Sequence, residues 1–237
     1  MSLTPPVINH IEDYWFDNNP ALTHFMNTLS SLFEKGEGFF MHSVTTFLKT
    51  HPEFKDQIVK FVREERAHSK LHVDMNSRFK NRKLLKKLEQ RTGNIINLFT
   101  KPLSKKQRLA ATAALEHITC CLALQLLKRK DIQAKMFTDV KEAWLYHALE
   151  ESSESHRTLA FNIYNKLGNN NVERYALMAF ATFILSCVVT IYWFEIMAND
   201  SFEGFFEAIS ILLHPTTGLI IGIIPEYLTW FNSNYTP

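Results

Sequence analysis

Four separated stretches of this 237-residue chain place glutamate and histidine inside apolar sequence. They are Glu37; Glu65 with His68 and His72; Glu116 with His117; and the run from His147 to His156. On a helix, residues three, four and seven apart share a face. Glu65, His68 and His72 therefore point one way, and His147, Glu150, Glu151 and Glu154 form a second such face. The neighbours are apolar: Phe39 and Phe40, Ala67 and Leu71, Ala114 and Leu115, Trp144 and Leu145. Charged side chains do not enter a core without a partner. A fold that buries these stretches must converge them on something that balances their charge. One carboxylate from each of two helices, with Glu-x-x-His units from two others, is the ligand arithmetic of a di-iron carboxylate bundle. Carboxylate with imidazole suits iron, manganese or zinc.

The punctuation of the chain supports helices. There are 7 glycines and 8 prolines, mostly at plausible breaks, and strand-type alternation is scarce. The pattern predicts an all-α chain, read as one metal-binding domain over 1–237. Residues 1–19 form an irregular arm rich in Pro, Asn and Asp. A first helical region covers about 20–49, with a break expected near Gly36 and Gly38. His51-Pro52 marks a turn, and the next helix runs to about Arg82. A short helix follows to about Leu98. Ser104 is a good N-cap for a long helix over about 105–129. A last long helix covers about 133–167 and stops at Gly168 and the Asn169-Asn170-Asn171 run.

Residues 172–237 form additional apolar C-terminal helices. No charged residue occurs over 175–194, the 20 positions between Arg174 and Glu195, which is long enough to span a bilayer. A second apolar stretch, 208–224, is interrupted at His214-Pro215. These stretches are either buried helices, an interface in a homodimer, or sites of membrane contact.

Charge narrows the partners. With 26 basic and 24 acidic residues the net charge is +2, so no global case for nucleic acid exists. Basic residues cluster at 80–91 and 101–108, either as a solvated face or as a patch for anionic lipid or an acidic partner. Three cysteines, Cys120, Cys121 and Cys187, lack a Cys-x-x-Cys spacing, which argues against a disulfide framework or a thiolate zinc site. No apolar leader is visible, so a cytoplasmic setting is expected, with membrane association as the variant. No Gly-rich phosphate loop or dinucleotide fingerprint is present.

Several ordered motifs are similar to the bacterial "predicted metal-dependent hydrolase" family. They are Trp15-Phe16-Asp17, Leu29-Ser30-Ser31-Leu32-Phe33, Gly36-Glu37-Gly38-Phe39-Phe40, and Glu65-Arg66-Ala67-His68 through His72 to Asn76. They continue with Ala114-Leu115-Glu116-His117-Ile118-Thr119, Trp144, His147-Ala148-Leu149-Glu150-Glu151, Ala160 to Tyr164, and Pro225 to Phe231. The resemblance implies a ferritin-like helical bundle. It aligns the family's Glu with Glu37, its Glu-x-x-His with Glu65 and His68, and its Glu-His with Glu116 and His117. Two departures stand out. Gly38 occupies a position where the family usually has Arg. In the fourth segment the family reads roughly Glu-Glu-x-Glu-His, whereas here Glu150-Glu151-Ser152-Ser153-Glu154-Ser155-His156 is two residues longer. A regular helix there puts Glu154 at the histidine position; π-bulges would instead return His156 to it. The regular helix is the preferred expectation.

The expected ligands are Glu37, Glu65, His68, Glu116, His147, Glu151, Glu154 and His156. His72, His117 and Glu150 are expected to support them. Glu-x-x-His alone is a weak signal, since chance produces it often; four matching segments make the case. The expected cofactor is two divalent ions, iron first, then manganese or zinc. The expected function is metal-dependent hydrolysis, or oxygen-dependent oxidation, of a small or lipid-like substrate. The rival readings are a non-catalytic metal-binding bundle and a membrane-associated interaction protein.

Overall fold

A computed structural model describes residues 5–237. Residues 1–4 of the expected arm lie outside the described residues. Among these residues every regular element is helical, apart from an isolated bridge between Phe16 and Met136. Segment 5–19 carries no helix, yet it buries Ile8, Trp15 and Phe16. Helix α1 spans Pro20–Thr45. Asn19 caps it by accepting from the Leu22 amide, and Pro20 presets its first turn. The break expected at Gly36 and Gly38 is absent, because both glycines keep helical hydrogen bonding in α1.

A short 3-10 turn, Pro52–Phe54, leads into α2, Lys55–Arg78. It ends earlier than expected because Phe79 turns to extended backbone (φ −63°, ψ 150°) and buries its ring. Helix α3 covers Arg82–Thr100 and α4 covers Lys105–Lys128. A reciprocal capping box between Ser104 and Gln107 starts α4, as the sequence suggests.

The single long helix expected over 133–167 is instead three. They are α5 (Lys130–Ala134), α6 (Thr138–Glu151) and α7 (Glu154–Lys166). The first break lets Met136 bridge Phe16 and lets the Phe137 amide donate to Trp15 O at 3.0 Å. Gly168, at φ 93°, ends α7 as expected. Asn170 then caps α8, Asn171–Asn199. The tail holds α9 (Phe205–Leu213), a 3-10 turn (Ile221–Ile223) and α10 (Ile224–Thr229). Helix α9 stops before Pro215, whose ring disfavours helix in the residue it follows.

Helix α1 is the central post: α2, α3, α4, α8 and α9 all pack on it, and α4 packs on α6, α7 and α8. Among the described residues two helices are long and apolar enough to cross a membrane, α4 and α8. Across its most apolar stretch α4 is 72% buried, which makes it a core helix, whereas α8 is 22% buried. The apolar core falls into two parts. One gathers Trp15, Phe25, Leu71, Met75, Trp144 and Trp193; the other gathers Phe40, Val44, Phe61, Leu109, Phe161 and Trp230.

Candidate metal centre

The two apolar parts alternate along the same helices, and the alternation locates a polar layer. On α2, Ile58 and Phe61 belong to one part and Leu71 and Met75 to the other; Glu65 and His68 lie between them. On α1, Phe25 and Met26 precede Glu37, and Phe40 and Val44 follow it. Val140 to Ala148 of α6 join the first part, and Leu159 to Tyr164 of α7 the second. The ligand-type residues occupy that seam.

Glu65, His68, Glu151 and His156 each bring a ligand atom within 4.8 Å of the others, as do Glu37, His72 and His147. All seven are buried. The two groups adjoin: the His68 and His147 rings stack at 4.5 Å, and His147 Nε2 lies 3.6 Å from Glu151 Oε2 and 4.0 Å from Glu37 Oε1. His156 Nδ1 stands 2.9 Å from Glu65, 3.6 Å from Glu151 and 3.8 Å from Glu116. Glu116 thus borders the first group. His72, expected only as a supporting residue, sits inside the second.

Glu154 corrects the sequence reading: it is exposed, in the first turn of α7. Neither a regular helix nor a bulged one spans this segment. The chain leaves α6 at Ser152 and passes through extended backbone at Ser153 (ψ 154°) before α7 restarts. That single extended residue re-aims the next helix and carries His156 into the seam. Glu154 is left near the α7 N-terminus, where a carboxylate suits the helix dipole.

The two remaining supporting candidates join neither group. Glu150 is half-buried on α6. His117 sits about 100° round the helix from Glu116 and faces the tail. There its Nδ1 meets Tyr235 OH at 2.8 Å, and its ring centroid lies 5.3 Å from that of Trp230. Glu64 adds an unforeseen contact, 3.4 Å from His156 Nε2.

Polar groups whose role the sequence reading missed orient the candidate ligands. Ser69 Oγ donates to Glu37 Oε2 at 2.7 Å, and Thr119 Oγ1 donates to Glu151. Asn76 Nδ2 donates to Ser30 O and to Glu89, so Asn76 Oδ1 is left to accept from Ser30 Oγ at 2.6 Å. The one Ser30 hydroxyl proton is thereby used. The 2.8 Å contact between Ser30 Oγ and His72 Nδ1 must then be a donation from His72 Nδ1–H. That tautomer leaves the His72 Nε2 lone pair aimed inward, 2.5 Å from His147 Nδ1. The spacing held a signal: Asn76 follows His72 by four residues, and Thr119 follows Glu116 by three.

Burial dominates the electrostatics. It pushes Glu37 and Glu116 well above the usual carboxylate range, with Glu65 and Glu151 adding repulsion. Glu65 is also raised by burial, against the pull of His156. Burial acts on Glu151 too, but His147 and His156 outweigh it and hold that group low. Burial holds His68 and His72 well below the ordinary imidazole value. His156 goes the other way, since its carboxylate neighbours outweigh burial and raise it.

The donor set fits metal ions. Both oxygens of Glu65 and of Glu116, one of Glu37, and both ring nitrogens of His68 and His156 have no hydrogen-bond partner. Their mutual approaches are at ion-pair distance without hydrogen-bond geometry. A buried polar atom left so costs on the order of 1–3 kcal/mol, and native interiors seldom keep several together. Cys120 and Cys121 are buried nearby, but burial pushes their thiols up, Cys120 to about 12, so neither is a ready thiolate.

An all-α protein with a buried carboxylate–imidazole seam of this kind has the donor groups to hold metal ions. The family model described as "Predicted metal-dependent hydrolase" matches residues 6–237, and the chain belongs to that family. No curated protein and no solved structure matches the chain.

Proposed function

We propose that this chain is a metal-dependent enzyme that holds two divalent ions side by side in the two adjoining ligand groups. Glu65, His68, Glu151 and His156 would hold one, and Glu37, His72 and His147 the other, with Glu116 at the border. The single observation that carries this reading is the set of buried ligand atoms lacking hydrogen-bond partners, on Glu65, His68, His156 and Glu116 in and beside the first group and on Glu37 in the second. When bound, two such ions supply Lewis acidity and an activated water for hydrolysis, or, as iron, electrons for oxidation by dioxygen.

The chain's own residues perform the rest. Ser30 and Asn76 hold His72 in one tautomer. Ser69 and Thr119 fix the Glu37 and Glu151 carboxylates by donating to them. Phe33 packs on both His72 and His147, with ring centroids 4.4 Å apart in each case, and keeps water off that side. The family description favours hydrolysis. The aromatic, water-poor wall favours oxidation as the second chemistry.

Elemental analysis of the untagged protein beside Glu65→Gln tests the reading. About two equivalents of metal, lost in the variant, is the expected result. No metal in either protein after reconstitution would overturn it. Iron with oxygen uptake would select oxidation, and zinc or manganese with ester or amide cleavage would select hydrolysis.

A further inference from the structure

A cavity of about 230 Å³, partly open to the surface, reaches the candidate metal centre. Among the described residues, the ionisable groups on its wall are Glu37, His147 and Glu151, all members of the centre. The rest of the wall is almost wholly apolar, with Leu29 and Phe33 of α1, Ile95 and Phe99 of α3, and Phe180 and Ile184 of α8 as examples. Apolar cavities of about 150 Å³ stay dry and admit an aromatic ring; this one is larger by half.

Its shape follows from the helices that enclose it. On α8 the lining runs from Leu177 to Val188, roughly 16 Å at 1.5 Å per residue. That length lets the cavity take a hydrocarbon chain laid along α8. Helices α3 and α8 both pack on α1 but hardly on each other. They are pinned at one end by Arg91 to Glu195 (2.5 Å) and Tyr192 OH to Leu88 O (3.3 Å), and at the other by the Phe99–Phe180 ring pair (5.5 Å). Between these pins Ile184 and Val188 are only half-buried, and Phe180 at one pin is 42% exposed. The slot between α3 and α8 therefore leads from the surface into the cavity.

Gly36 supplies an independent observation. It lies on the cavity wall in the middle of α1, next to Glu37, and a Cβ there would meet no heavy atom within 4 Å. Glycine weakens a helix interior, and neither its backbone nor a close neighbour demands it here. What it does is leave room beside the centre.

We propose that the cavity binds one unbranched hydrocarbon chain, which enters between α3 and α8 and presents an oxygen-bearing end group to Glu37, His147 and Glu151. A long-chain acyl or alkyl compound is then the substrate class. This rests on the metal-dependent reading for what happens at the polar end, while the seating of the chain does not depend on it.

The test is calorimetric titration of the metal-loaded and metal-free protein with octanol, decanol and dodecanol. These share an uncharged head, so chain length is the variable. Saturable binding with one chain per protein is expected, tightening about fourfold per added methylene until the cavity is full. Gly36→Leu and Ala181→Phe, which fill the cavity near the centre and along α8, should each weaken dodecanol binding at least tenfold. Gly36→Leu should keep its melting temperature, since leucine is the better helix former. Absence of saturable binding from water and from phosphatidylcholine vesicles alike, affinity independent of chain length, or unchanged binding by both variants would overturn the proposal. Dodecanol taken up from phosphatidylcholine vesicles and not from water would assign the chain to a bilayer source; uptake from water assigns a free one, and both support the site. Metal lost or never bound while dodecanol still binds would sink the metal reading and leave this one standing.

Discussion

His156 shows how much one backbone angle can decide. It lies nine residues after His147 in the sequence, and a continuous helix would have turned it away from the seam. The extended Ser153 brings it back at 2.9 Å from Glu65. His156→Ala should therefore cost metal affinity at least tenfold, whereas Glu154→Ala should leave metal content unchanged; titration with a metal-sensitive dye reads both. Ser30 acts one bond further out. Ser30→Ala removes the acceptor of His72 Nδ1–H and frees the ring to flip. The expected loss is about 10–100-fold in metal affinity, with the melting temperature kept, and the same titration checks it. The clustering of the candidate ligands was legible as types and spacings: Glu37, Glu65, His68, Glu116, His147 and Glu151 all sit at or beside the seam. Glu154 misled because helical periodicity carries no notice of a one-residue break. The Ser152-Ser153 pair was the available hint, since serine competes with helix and favours caps.

At the level of helices, the long uniform elements were readable and the interruptions were not. The Ser104 cap of α4 and the Gly168 stop of α7 follow from local chemistry that a sequence displays. The break between α5 and α6 follows from a distant partner, Phe16 pairing with Met136 across 120 residues, and no local signal announces it. The junction of α1 with α9 is of the same kind. Asn19 both caps α1 and donates to Gly204 O at 3.2 Å, while Gly204 itself takes φ 73°. A Cβ on Gly204 would fall 2.2 Å from the Asn19 amide. Gly204→Ala should destabilise the fold by more than about 1 kcal/mol, from the left-handed backbone alone. A lowered urea midpoint with metal content intact is the expected signature; an unchanged midpoint would remove the junction from the stability argument.

For the molecule as a whole, the all-α class was evident from composition and punctuation, but the placement of α8 was not. Its apolar length fits a core and a bilayer equally, and only the packing around it shows that one face closes the cavity. Metal should act as a structural strut. Ions that bind the native state at a hundred times their Kd add about 2.7 kcal/mol. Chelation should then lower the melting temperature by roughly 5–10 °C for a chain of this size, as scanning calorimetry would detect. Acid should weaken the fold through His24. Burial lowers its pKa despite Asp200 at 3.0 Å. The unfolded chain takes up a proton near pH 6.5 that the native state resists, so stability falls as pH drops below about 6.5. The slope from this group is below about 1.4 kcal/mol per pH unit, and His24→Gln should flatten it in urea midpoints between pH 7.5 and 5.5 (conditions set on the order of one unit either side of that pKa). The four tryptophans are all buried, but they stand in different places. Trp144 lies 5.3 Å from the His72 ring, whereas Trp230 packs at a tilt against Tyr235 of the tail. Light emitted by the first is therefore exposed to quenching by an open-shell ion, and zinc, with its filled d shell, would leave it bright. Loaded with metal, the protein would carry its own optical gauge of which element it had taken up.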